Sequence, residues 1–137
     1  MKKLILFVLT LACVSGLAGC SGSMVLDSMT FHIGEAAKIT VTTDRADREV
    51  DIVDREFIQN MTENINSLRF EKTSAVDGSV KYAYLLTWFD TENHQIASIT
   101  ITEENGHQIV YDGYRYRVGA GQNVDTELIR KTLRGIA

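Results

Sequence analysis

The sequence predicts an α+β fold, an antiparallel β meander with two helices packed on one face. Three observations carry that prediction. After residue 69 the chain alternates apolar and polar residues in short runs. Those runs are separated by Gly-containing turn signals, among them Asn105-Gly106 and Asp112-Gly113. Helical spacing of apolar residues occurs in two segments, one mid-chain and one at the C-terminal end. Strands grouped in this way, without regular β-α-β alternation, favour an antiparallel sheet covered by helices.

The first segment is not part of that domain. Lys2 and Lys3 precede a run from Leu4 to Val14 in which only Thr10 is polar. About eleven apolar residues fall short of the roughly 20 that span a bilayer. A charged start, a short apolar core and small residues after it read as a secretory signal peptide, residues 1–19. The stretch Leu17-Ala18-Gly19-Cys20 resembles the lipobox of bacterial lipoproteins. That resemblance implies diacylglycerol on the Cys20 sulfur and cleavage before it. Cys13 lies in the apolar run and would be discarded with it. The remaining chain keeps no free thiol for a disulfide, a nucleophile or a metal. Its lipid would hold it at the outer side of a cell membrane.

The elements then follow in order. Residues 20–38 read as a tether with room for a short element, and 39–137 as one domain. "ITVTT" (39–43) is β-branched throughout and predicts a strand; "DRADRE" is a charged turn; residues 50–53 form a short second strand. Asp54 is placed to cap a helix over 54–68, with Glu56 in its first turn and Phe57, Ile58, Met61, Ile65 and Leu68 on one stripe. "RFEKT", "VKYAYLLTWF" (80–89), "QIASITIT", "QIVY" and "YRYRV" predict five strands joined by hairpins. Asn123 or Asp125 caps a last helix through Leu128, Ile129, Leu133 and Ile136.

Composition narrows the function. The chain has 14 basic and 18 acidic side chains, and loss of Lys2 and Lys3 makes the balance more negative. Nucleic acid is therefore not an expected partner. His32, His94 and His107 are far apart and lack the local pairing of a metal site. Asp90, Glu92 and His94 alternate faintly like a calcium loop, without its glycine or its terminal glutamate. Gly119-Ala120-Gly121 lacks the Lys-Ser/Thr of a phosphate-binding loop, and Glu103 with Glu104 are adjacent and diverge. Asn60-Met61-Thr62 matches a glycosylation sequon, read as coincidence in a bacterial chain. No serine sits on a glycine-flanked elbow. The expectation is a non-enzymatic protein with no cofactor and no metal.

Alternation assigns the sheet faces. Tyr82, Tyr84, Leu86 and Trp88 share one face with Tyr114, Tyr116 and Val118. The three aromatics of the first strand could stack on a sugar, but the helices need an apolar face to cover, so packing is the better reading. The other face carries Lys81, Ala83, Leu85, Thr87 and Phe89, then Ser98, Thr100 and Thr102, Val110, and Arg115 with Arg117. Its arginines and apolar groups match interface composition; the plain alternative is a solvated sheet face. Leu85, Phe89, Val110, Arg115 and Arg117 are the candidate interaction residues, fitting a protein or an acidic ligand group.

Residues 39–133 resemble a family of small lipoproteins from Gram-positive bacteria, a single α+β domain of unknown function. The most specific piece is Tyr111-Asp112-Gly113-Tyr114 with Tyr116 and Val118. The resemblance implies anchoring outside the cytoplasm and one compact domain, and carries no catalytic residues. The expected role is a membrane-anchored binding module. An inhibitor of a secreted enzyme or toxin, and a small hydrolase using His94 or His107, are the alternatives.

Overall fold

The computed structural model describes residues 28–44 and 48–136. The expected signal peptide, Cys13, Cys20 and the start of the expected tether lie outside these residues, as does the middle of the "DRADRE" turn.

The order is β1 (Ser28–Met29), β2 (Lys38–Thr43), β3 (Arg48–Ile52), α1 (Arg55–Ser67), β4 (Phe70–Ala75), β5 (Tyr84–Phe89), β6 (Gln95–Ile101), β7 (Gln108–Tyr111), β8 (Tyr114–Val118) and α2 (Thr126–Ile136). Among the described residues the strands form one antiparallel sheet of eight, in the order β1-β4-β8-β7-β6-β5-β2-β3. The α+β expectation holds. The meander holds for β5 to β8, and β2 and β3 add a hairpin beside β5.

Local chemistry explains the helix ends. Asp54 has extended backbone, and its carboxylate accepts the Phe57 N–H at 3.1 Å. Asp125, not Asn123, caps α2 by accepting the Leu128 N–H at 3.1 Å. Asn123 instead donates to the Asn105 and Val124 carbonyls.

The core is one cluster built from α1, α2 and a single sheet face. Phe57, Ile58, Met61, Ile65 and Ile129 meet Ile39, Val41, Leu86, Trp88, Ile99, Ile101 and Ile109. Trp88 is fully buried, and its indole N–H donates to Thr62 Oγ1 on α1 at 3.0 Å. That hydroxyl donates in turn to the Ile58 carbonyl at 2.6 Å. Asn64 ties α1 to the start of α2, donating to the Asn123 carbonyl and accepting from the Asp125 N–H.

Five expectations are corrected. Residues 28–38 are not tether: β1 pairs with β4, and Phe31 is buried edge-on against Phe70 and Tyr111. Asn66 holds the same segment on α1, accepting the Ile33 N–H and donating to its carbonyl. The strand at 80–89 begins only at Tyr84. β4 pairs with β8 rather than β5, so residues 76–83 are used in crossing the ends of three intervening strands. Val80 and Tyr82 therefore lie outside the strand. Asn105-Gly106 is not a turn with both residues left-handed: only Gly106 has positive φ, +74°. Its N–H reaches the Glu103 carbonyl, and the Asn105 side chain accepts the His107 N–H. Asp112-Gly113 does have both residues left-handed. Lastly, Tyr114 at the hairpin tip is exposed, with the Lys72 ammonium 3.9 Å from its ring centroid.

Candidate functional site

The sheet face turned away from the core carries the candidate residues. The pairing register brings three of them, Arg115, Val110 and Leu85, into one cross-strand row, Arg115, Val110, Thr100, Leu85, Thr42 and Glu49, from β8 to β3. Adjacent strands lie about 4.8 Å apart, so the row is about 24 Å long. Arg117 stands beside Gln108 in the neighbouring row. β7 does separate the arginines from the threonines of β6, with Gln108 and Val110 between them.

Burial distinguishes the two faces. Leu85, Thr87, Phe89, Ser98, Thr100, Val110 and Arg115 are all half-buried, while Arg117, Glu49 and Asp51 are exposed. Ala83, expected on this face, precedes the strand and packs against the core cluster instead; Leu85, Phe89, Ile96 and Val110 do not join that cluster. The described part of the N-terminal segment, from Ser28 on, lies on the core side, through Phe31 and through Ile33 on Asn66.

Phe89 is shielded by a side chain. The Lys38 ammonium sits 4.6 Å from its ring centroid. Lys38 also donates to Asn93 Oδ1 at 3.0 Å and lies 3.8 Å from the Asp51 carboxylate. Asp51 in turn accepts the Thr40 hydroxyl at 2.8 Å. The Phe89 end of the face is thus a satisfied polar network. At the other end, among the described residues, the Arg115 and Arg117 guanidinium groups make no ion pair or hydrogen bond. Glu71 is in register with Arg117 on the same face. Ile96, 41% exposed, falls on this face by alternation with Ser98 and Thr100.

Sequence reasoning missed Lys38, Glu49, Asp51 and Ile96 as members of this face. The signal was present: "KITVTT" and "REVDI" alternate, so Lys38, Thr40, Thr42, Glu49 and Asp51 oppose the buried Ile39, Val41, Val50 and Ile52. What the alternation left out was that β2 and β3 extend the same sheet.

Other clusters carry less chemistry. His94 lies 3.5 Å from both Asp90 and Glu92 in the exposed β5–β6 turn. Asp90 accepts the Glu92 and His94 backbone N–H groups at 3.0 and 2.8 Å. The His94 N–H, above all, holds its carboxyl below the usual aspartate value. His107 follows the far end of β6, so the two histidines do not meet. Among the described residues, no group of three or more metal-ligating side chains is assembled. A cavity of about 400 Å³ opens beside α2, lined by Asp44, Lys81, Tyr82, Glu104, Arg130 and others. Arg130 Nε is buried there without a hydrogen-bond partner, while Nη1 lies 3.3 Å from Glu127. Both charge signs line the cavity, and it selects no ligand class. Comparison with family models, with curated proteins and with solved structures gives no match.

Proposed function

We propose that this protein is a lipid-anchored, extracytoplasmic binding module without enzymatic activity. Its open sheet face engages a protein that presents carboxylates. The anchor is the lipid on Cys20, as the lipobox resemblance implies. One observation carries the binding reading: two unpaired guanidinium groups stand beside half-buried apolar side chains on a sheet face outside the core. Arginine can grip a carboxylate through two parallel hydrogen bonds, and arginine with apolar anchors is the composition of interface hot spots.

The test uses the full chain in its native envelope. A photoreactive side chain in place of Val110 should form protein adducts, and one in place of Gln59, exposed on α1, should not. Arg115→Ala, Arg117→Ala and Phe89→Ala combined should abolish the Val110 adducts without lowering the melting temperature appreciably. Equal labelling from Val110 and Gln59 overturns the reading. Mass spectrometry of the membrane fraction should find a mature chain that begins at diacylglyceryl-Cys20, and Cys20→Ala should leave a precursor or release the domain.

A further inference from the structure

We infer that the partner of the open face is a second copy of this chain, packed face to face across a two-fold axis parallel to the strands. This rests on the binding reading above and gives it a specific occupant.

The argument is the order of side chains across the sheet. The row from β8 to β3 begins with the cation Arg115 and ends with the carboxylate Glu49. Between them lie Val110, Thr100, Leu85 and Thr42, all uncharged and half-buried. The row is polarised, and its midpoint falls between Thr100 and Leu85. A two-fold axis at that midpoint, parallel to the strands and lying between two facing sheets, reverses the row on the second copy. β8 then stands over β3 of the other copy, β7 over β2 and β6 over β5. Arg115 meets the second copy's Glu49 at both ends. Val110 meets Thr42, and Leu85 meets Thr100.

A contact away from that row agrees. Phe89 is paired with Gln95 across a bulge that also places Ile96 there. The same axis sets Phe89, with the Lys38 ammonium at its ring, opposite the second copy's Ile96, an exposed apolar residue on this face. Two large apolar groups therefore meet twice, through one operation.

Charge also rejects the other face-to-face arrangement. An axis in the interface but perpendicular to the strands stacks each strand on its own copy. Arg115 would face Arg115 and Glu49 would face Glu49, and directly opposed like charges are destabilising. Closed two-fold contacts are self-complementary by construction, and here only the parallel axis makes them so. Aligned sheets normally cross at about 30°, which keeps the central strands in register and lets the long Arg and Glu side chains cover the divergence at the ends. The row, about 24 Å long, and strands of four to seven residues give a small interface beside the roughly 800 Å² per partner of stable complexes. The dimer is therefore weak, and confinement at a membrane surface favours it.

Sedimentation equilibrium of the full chain in detergent micelles, up to about 1 mM chain, the concentration range that tethering reaches, tests this. The wild type should dimerise. Glu49→Arg and Arg115→Glu should each raise the dissociation constant about tenfold or more, because each places two like-charge contacts in the dimer. The two substitutions combined in one chain should restore the wild-type constant, since the pair is re-formed with reversed sign. Far-ultraviolet circular dichroism of each variant checks that the fold is kept. A wild type that stays monomeric overturns the inference, as does a double variant as weak as the singles. If the wild type is monomeric while Val110 still crosslinks a different protein, the binding-module reading stands and only the identity of the partner falls. If neither self-association nor any Val110 adduct is found, both fall.

Discussion

The two faces of this sheet are built from the same strands, yet one is sealed and the other is not. On the core face, Ile39, Leu86, Trp88, Ile99, Ile101 and Ile109 are fully buried under the helices. One residue away along each strand, Leu85, Thr87, Ser98, Thr100 and Val110 form a half-buried face of hydroxyls and scattered aliphatics, with Thr40 buried where it bonds Asp51. The difference lies in how substitutable each side chain is. A core side chain is held by neighbours on every side, and removing it leaves a cavity. An open-face side chain has water or a partner on one side and is free to be selected for binding.

The largest expected effect tests the core side of that contrast. Trp88→Ala should destabilise the domain by about 3–5 kcal/mol in denaturant unfolding. A loss under about 1 kcal/mol would mean that the helix-covered face is not the core. Gly106→Ala comes next. Gly106 needs positive φ, and a Cβ there would run into the Val124 carbonyl oxygen that precedes α2. Its own carbonyl accepts the Val124 N–H at 2.8 Å. Strained φ and overpacking together should cost about 2–4 kcal/mol, read as a lower unfolding midpoint.

Thr62→Val isolates one polar contact inside the core. It removes the acceptor of the Trp88 indole N–H while keeping the volume, so about 1–3 kcal/mol should be lost. If stability is unchanged, the indole finds another acceptor and Thr62 does not position α1 on the sheet. On the open face the expectation reverses. Arg115→Ala and Val110→Thr should each change stability by no more than about 0.5 kcal/mol. A larger loss at either would show that this face also packs against something.

The smallest effect concerns the edge of the contrast, at the β5–β6 turn. Asp90 is half-buried, and its pKa is depressed chiefly by the His94 N–H. Its folded value lies below its unfolded one, so its contribution is complete above the unfolded aspartate range. It is lost as pH falls through the folded value. Amide exchange at Glu92 and His94 should accelerate in that acidic window and not above it. Asp90→Asn should remove the pH dependence.

Much of this was legible in order of locality. The Asp54 cap, the α1 stripe and the Asp112-Gly113 turn depend on residues within four positions of one another. Each was read correctly because a capping hydrogen bond or a positive φ is a local event. Alternation placed Leu85, Phe89, Val110, Arg115 and Arg117 on one face for the same reason, since the strand period is two wherever the strand pairs. Asn105 departs from the left-handed conformation its sequence predicts because the Glu103–Gly106 bond and the docking of Val124 select a turn with a single left-handed residue.

What alternation could not supply is which strands are neighbours. Phe31 and β1 have no period in the sequence, because their order comes from Phe70, Tyr111 and Asn66, far along the chain. The β4–β8 pairing joins Phe70 to Val118 and Ala75 to Tyr114, far apart along the chain, and nothing near "RFEKT" announces it. The polarity of the open face has the same origin. Arg115 and Glu49 are 66 positions apart, and only the register of five intervening pairings sets them at opposite ends of one row. Sequence alone determined both helices and the alternation within β5 to β8, since these follow from backbone geometry and nearest neighbours. The tertiary structure decided what shares a surface, because strand adjacency is settled by the burial of the whole apolar face at once.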